Sequence, residues 1–305
     1  MHYGVYVPNF GPYGDARVLA DLAHEAEEAG WDGFFIWDQV SKTTLTPTFD
    51  PMVDPWVALT AIALRTRTIR LGPLVAAMPR RRPWVVAREA VSLDHLSGGR
   101  LSLGVGSGGG YFDFEALGEA TEPEKLAALL DEGLEVLTGL WSGEPYHHEG
   151  TYYHIKEAQF LPRPRQLPRI PIWIAGMWPA KAPLRRAARW DGVVPIGRDL
   201  PLTAMLTPVQ MREIVSFVAS QPGYSPPFDV IHSGITGGTD AALDREVVAA
   251  YQQVGVTWWM EKIVPERWGS WTSWPLEAMR ARIRQGPPGK PYKGNSEITA
   301  DTNFL

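Results

Sequence analysis

LSGGRLSLGVGSGGGY, residues Leu96 to Tyr111, passes from the end of a helix through a short strand into a glycine-rich mouth. Ser97-Gly98-Gly99 stops a helix running from Val85 to Leu96, because glycine enters the left-handed conformation without steric cost. Leu101, Leu103 and Val105 then alternate with Ser102, Gly104 and Gly106, the two-residue period of a strand whose small positions face something crowded. Past it, Ser107 to Gly110 offers almost bare backbone, with room for a flat or anionic ligand. A glycine run by itself reads equally well as a plain flexible loop.

Working outward, strand and helix signals alternate along the chain. A β-rich run, Tyr3 to Pro8, leads through NFGPYG to Asp15, an N-cap for a helix from Ala16 to Ala29. GFFIW, Gly33 to Trp37, is an apolar run of the kind buried on both faces of a parallel sheet. Asp54-Pro55 starts a helix that ends near Thr66, and the strand Ile69 to Val75 precedes the helix Arg82 to Leu96. Leu101 to Val105 is the fourth strand, and the next helical stretch ends at Trp141. Residues 142–170 break the period and read as a small hairpin with a Pro-rich connection. Strands Ile170 to Ala175, Gly192 to Ile196, Phe228 to Ile235 and Val256 to Glu261 follow, separated by helices Ala180 to Arg189, Pro208 to Ser220 and Ala241 to Val254. Eight strand–helix repeats predict an α/β chain closed into a (β/α)8 barrel over residues 1–285, with an insertion at 142–170. The remaining residues, 286–305, read as a poorly packing tail, mobile or laid over a neighbour.

A chain of 305 residues fits one barrel domain. Its 45% hydrophobic residues and 13 tryptophans supply a core and an aromatic-walled pocket. The net charge of −5, with one dense basic cluster at Arg80 to Arg82, argues against nucleic acid as a partner. Cysteine is absent, which excludes disulfides, thiolate catalysis and cysteine-bound metal and fits a reducing cytosol. No apolar run reaches the ~18 to 20 residues that span a bilayer, and the N-terminus lacks a secretory pattern, so a cytoplasmic location is expected.

Barrel enzymes carry their chemistry where strands end at the C-terminal face. That rule selects Asn9 and Phe10, Asp38 and Gln39, Val75 to Met78, Ser107 to Tyr111, Gly176 to Pro179, Gly197 and Arg198, Gly237 to Asp240, and Glu261-Lys262. Ala175-Gly176-Met177-Trp178-Pro179 runs from a strand into a helix whose free N–H groups suit a phosphate, or form an ordinary turn. Asp38 reads as a rim carboxylate that accepts from a cofactor or caps a turn. Arg198 is an anion ligand or a solvated loop residue, and Arg80 to Arg82 read as a solvated face. His147, His148 and His154 read as surface histidines rather than a metal set, so no metal site is assigned. His232, inside a strand, reads as structural, and Trp258-Trp259 as one ring inward and one against the helices. Walker A, nucleophile-elbow and HExxH motifs are absent.

AEEAGWDGFFIWDQ (Ala26 to Gln39), LTAIALRTRTIRLGPLV (Leu59 to Val75), RRPWVVAREAVSLDHLSGGRLSLGVGSGG (Arg81 to Gly109), LEVLTGLWSGEPYHHEGTYY (Leu134 to Tyr153) and PIWIAGMWPAKAPLRRAARWDG (Pro171 to Gly192) together resemble the bacterial luciferase-like oxidoreductases. These are (β/α)8 barrels that use FMN or the deazaflavin coenzyme F420. The resemblance implies a flavin site bordered by Asp38 and Gln39. It places a bulged strand end at Pro73, Leu74 and Val75, often with a non-proline cis peptide, against the ring. Ser107, Gly108 and Gly109 would flank the ring and ribityl chain, and Gly176, Met177, Trp178 and Pro179 the phosphate. Substrate-side candidates are Asn9, Trp37, Met78, Tyr111 and Arg198, with Trp84 and Trp178 as further apolar walls. Deazaflavin sugar-phosphate dehydrogenases of the family carry histidine at Gln39 and glutamate near Gly109, and both are missing here. The expected activity is therefore a monooxygenase using reduced FMN and O2 on a small organic substrate, with F420-dependent hydride transfer as the alternative and a non-catalytic flavin-binding subunit as a third. No catalytic acid or base is assigned. A separate flavin reductase and a homodimer, paired through the helices beside strands two and three, are the expected partners.

Overall fold

The computed structural model describes residues 1–288. Short apolar runs buried on both faces make the barrel strands. In chain order these are β1 (His2–Val7), β2 (Gly33–Ile36), β3 (Arg70–Pro73), β4 (Ala76–Ala77) and β5 (Leu103–Gly106). An antiparallel hairpin outside the barrel, β6 (Tyr146–Glu149) and β7 (His154–Ala158), comes next. The barrel resumes with β8 (Ile172–Trp178), β9 (Gly192–Gly197), β10 (Asp229–Gly234) and β11 (Trp258–Lys262). Around them lie α1 (Ala16–Glu28), α2 (Pro55–Arg65), α3 (Pro83–Ser97), α4 (Pro123–Trp141), α5 (Ala182–Ala187), α6 (Pro208–Ala219), α7 (Ala241–Gln252) and α8 (Leu276–Arg284).

Every barrel pairing is parallel, in the order β3-β2-β1-β11-β10-β9-β8-β5-β4. β3 and β4 are two pieces of one strand, broken at Leu74-Val75, whose peptide is cis. Leu71 bridges Leu101, with the Ser102 amide donating to the Leu71 carbonyl at 2.9 Å, so the sheet closes on itself. The backbones meet so closely there that a Cβ on Gly72 would fall on the Ser102 carbonyl oxygen. Glycine is the residue that permits the closure.

Alternation along the strands divides the core in two. Phe35, Leu74, Trp173, Val194, Ile231, Trp258 and Met260 fill the barrel, while their neighbours pack outward under the helices. Trp258 lies inside and Trp259 outside, as the alternation predicts. Local start and stop signals hold as well. Asp15 accepts from the Arg17 amide at 2.8 Å, and Asp54 from Trp56 and Val57 at 2.9 and 3.1 Å. Gly98 ends α3 with φ 74°.

Three expectations change. β8 runs on through Trp178, and α5 begins only at Ala182. α8 has no counterpart among the helices expected from sequence, because Met279 and Ile283 are its only buried apolar residues and leave a faint periodicity. Gly286, Pro287 and Pro288 are buried rather than part of a loose tail, and the rest of the 286–305 expectation lies outside the described residues.

Candidate active site

The C-terminal ends of the strands surround a cavity of about 300 Å³, within the range of small-molecule sites. One side is Trp37 together with Leu74 and Val75 at the strand break. The opposite side is Val194 to Gly197 from β9 and the segment after it, Leu200 to Leu206. Trp37 is held by a cluster of rings, with Tyr6 at 5.8 Å, Phe10 at 5.9 Å and Trp271 at 5.9 Å between centroids. The Trp37 wall is therefore flat and apolar.

Polar groups enter from β1, β10, β11 and the turn after β2. Tyr6 stands in register with Lys262, and the alternation that puts Trp258 and Met260 inside the barrel turns Lys262 inward too. Burial pushes the Tyr6 hydroxyl pKa upward. The Lys262 Nζ donates to the carbonyls of Leu202 and of Ala204, the latter at 2.9 Å. Burial lowers its pKa to about 8, against the opposing pull of Glu261 and Glu266. Ser233 and Gln39 complete the polar lining.

Other ionisable groups nearby are committed elsewhere. Asp38 is no rim carboxylate. Its side chain is fully buried, accepts from the Ala77 amide at 3.0 Å, and pairs with Arg80 at 3.0 Å and Arg81 at 2.6 Å. Arg80 also donates to the Asp38 main-chain oxygen and pairs with Asp113 at 3.4 Å. The pairing overturns the solvated-face reading of Arg80 and Arg81, because carboxylates buried beside them supply the counter-charge. Glu261 turns to the far side of β11, accepting from Trp259 Nε1 at 2.9 Å and pairing with Arg267 at 2.6 Å and Arg282 at 3.4 Å. His232 borders the cavity, but its ring stacks on Tyr251 at 4.2 Å on the helix side, and burial followed by the Lys262 charge lowers its pKa to about 3. The imidazole is neutral and structural, as the sequence suggests.

Of the sequence candidates, the structure brings Trp37, Asp38, Gln39, Leu74 and Val75 together at the cavity. Pro73 is buried directly before the break. The others lie elsewhere. Asn9 is buried, its Nδ2 donating to the carbonyls of Gln39 and Val53 at 2.9 Å each and its Oδ1 accepting from the Gln39 amide at 3.2 Å, so it shapes the turn. Met78 is in the helix-side core, Tyr111 is 56% exposed, and Arg198 is exposed. Trp84 packs on Tyr153, and Trp178 is buried in the outer core under Lys181. Ser107, Gly108 and Gly109 form a surface loop beyond β5 that does not line the cavity. Gly176, Met177 and Trp178 pair with Pro195, Ile196 and Gly197 as continuing strand, and Pro179 follows a cis peptide. The expected helix N-terminus is therefore not formed there. At the turn after β10, the Gly237 and Gly238 amides are taken by the Asp244 carboxylate at 2.8 Å each.

Tyr6, Ser233 and the 200–206 segment were not among the sequence candidates. The strand-end rule includes Lys262 without a role, yet counting inward from Trp258 in steps of two would have pointed it into the barrel. The resulting site can hold a flat ring between apolar walls, with hydrogen-bonding groups along one edge.

The sequence from 1 to 282 matches the family described as luciferase-like monooxygenase. An uncharacterised protein of Mycobacterium tuberculosis is 31% identical over 248 residues, 76% of this chain and 81% of that one. The F420-dependent glucose-6-phosphate dehydrogenase of Microbacterium testaceum is 33% identical over 62% of this chain, which spans about half of its length, 54%. Among solved structures, a monooxygenase from Streptomyces bottropensis superposes with a TM-score of 0.72 at 22% identity, covering 93% of this chain and 97% of that one. No helix among the described residues is long and apolar enough to cross a membrane.

Proposed function

The chain belongs to the luciferase-like monooxygenase family, and on that premise we propose that it is a flavin-dependent monooxygenase using reduced FMN and O2 on a small organic substrate. The observation that carries this reading is the state of the ionisable groups at the cavity. Among the described residues that line it, the one carboxylate, Asp38, is fixed by two arginines, the one imidazole, His232, is turned away, and the one lysine, Lys262, is engaged by the carbonyls of Leu202 and Ala204. Oxidation of an alcohol by hydride transfer calls for a protein base to take the hydroxyl proton. Reduced FMN, when bound, would supply the two electrons with which one oxygen atom of O2 enters the substrate and the other leaves as water, a reaction that needs no protein base at a substrate hydroxyl.

The residues at the cavity fit the ring of that group. Trp37, Leu74 and Val75 would hold the ring by its faces, and Gln39, Tyr6 and Ser233 would meet its polar edge. With a ring bound between them, the apolar walls would keep water from the reacting centre. F420-dependent hydride transfer is the second reading, favoured by the likeness to the Microbacterium dehydrogenase. Fluorescence titration of the purified protein with FMN and, separately, with F420 tests the choice. Saturable binding of FMN together with substrate-dependent oxygen uptake is expected. Binding of F420 with silence toward FMN would move the assignment to hydride transfer, and silence toward both would remove the flavin reading.

A further inference from the structure

The segment from Asp199 to Met205 supplies Leu200, Pro201, Leu202 and Ala204 to the cavity wall. It crosses the open end of the barrel between β9 and α6 with little regular structure. Its turn is closed internally by the Ala204 amide donating to the Pro201 carbonyl at 2.9 Å. Two contacts tie it to the neighbouring part of the barrel, at the end of β10 and on β11. The Ile235 amide donates to Met205 Sδ at 3.3 Å, a weak bond to sulfur, and the Lys262 ammonium donates to the Leu202 carbonyl and, at 2.9 Å, to the Ala204 carbonyl. A lysine in an apolar cavity is costly unless its charge is engaged, and these two carbonyls are its engagement.

We propose that Lys262 is a positioning residue that latches the 199–205 segment over the cavity, so that this wall, and with it the access and size limit for the substrate, is set from β11. The latch is formed by the free chain and needs no bound ligand. Its meaning for substrate choice rests on the cavity being the site of the proposed activity. The geometry suits the role, because Lys262 is anchored in a strand of the barrel and its partners are main-chain oxygens, present whatever side chains the segment carries. Neighbouring groups do not draw the ammonium away from the segment. Glu261 is occupied behind the strand by Arg267 and Arg282, Glu266 acts on Lys262 as a charge without a salt bridge to it among the described residues, and Tyr6 beside Lys262 is held neutral by burial.

Hydrogen–deuterium exchange on the full-length protein, without ligand, tests the latch in Lys262→Met and Lys262→Arg. Methionine keeps the length and apolar stem but has no donor, and arginine keeps donors. In Lys262→Met the amides of residues 199–206 should exchange at least tenfold faster while β10 and β11 stay protected, and Lys262→Arg should restore most of the protection. Unchanged exchange at 199–206 in Lys262→Met, or acceleration spread evenly over the barrel, would overturn the proposal. Faster exchange at 199–206 in a protein that binds neither FMN nor F420 would uphold the latch and refute the flavin reading, so the two fail separately.

Discussion

Replacing Asp38 by asparagine should be among the most damaging isosteric changes in this protein, because it removes a charge that two buried arginines share. The Asp38 side chain is 0% exposed, and those of Arg80 and Arg81 are 6% and 16% exposed, so water cannot substitute for the lost carboxylate. Breaking one partner of a buried pair costs about 3 to 5 kcal/mol. Arg80 keeps Asp113 at 3.4 Å and the Asp38 main-chain oxygen, whereas Arg81 is left with the more distant charges of Asp54 and Glu89. One stranded arginine rather than two puts the cost at the lower end, about 3 kcal/mol. At roughly 2 to 4 °C per kcal/mol for a chain of this size, Tm should fall by roughly 6 to 12 °C. Urea unfolding of the wild type, Asp38→Asn, Arg81→Met and the double variant measures it. The double variant should cost less than the sum of the singles, since it removes the stranded charge with its partner. An Asp38→Asn protein within about 0.5 kcal/mol of wild type, or strict additivity in the cycle, would refute the reasoning.

Acid stability should report His232. Its folded pKa of about 3 lies below the unfolded value of 6.5, so the unfolded chain binds the proton more readily, and stability present above pH 6.5 is lost as pH falls through that window. At pH 4.5 the loss from this ring is roughly 2 to 3 kcal/mol, and His232→Phe should flatten the decline between pH 6.5 and 4.5 in urea titrations. An unaltered slope would mean that the ring is not protected from protonation. Gly72→Ala should cost roughly 3 kcal/mol, the upper range for overpacking, because the clash is backbone against the Ser102 carbonyl and neither side can swing away. A wild-type melting curve for Gly72→Ala would contradict the closure of the barrel at Leu71 and Leu101.

The barrel was legible because its signals are local. Period-two alternation at Leu101 to Val105, the apolar run at Gly33 to Trp37, the caps Asp15 and Asp54, and the Gly98 stop each act within a few residues; the caps and the stop stand where the sequence places them, and the two strands are observed at Leu103–Gly106 and Gly33–Ile36. The half of the site on Trp37, Asp38, Gln39, Leu74 and Val75 was legible for a related reason, because it sits where two strands end. Ser107 to Gly109 lie in an exposed loop outside the cavity and Gly176 to Trp178 belong to a strand that runs three residues longer than the sequence suggests, and neither feature leaves a mark in one dimension.

The sequence by itself determined which residues alternate, where α1 and α2 start and where α3 stops, and that eight strands close into a barrel, since these depend on backbone sterics and on the side chains immediately around each position. Only the tertiary structure decided which charges are spent and which are free. Arg80 and Arg81 became buried partners of Asp38, Glu261 turned away to Arg267 and Arg282, and Lys262 met the carbonyls of Leu202 and Ala204 beside Tyr6 from the first strand. A charge has no preferred partner along the chain. Its partner is set by desolvation and distance, and both exist only once remote strands have been brought together.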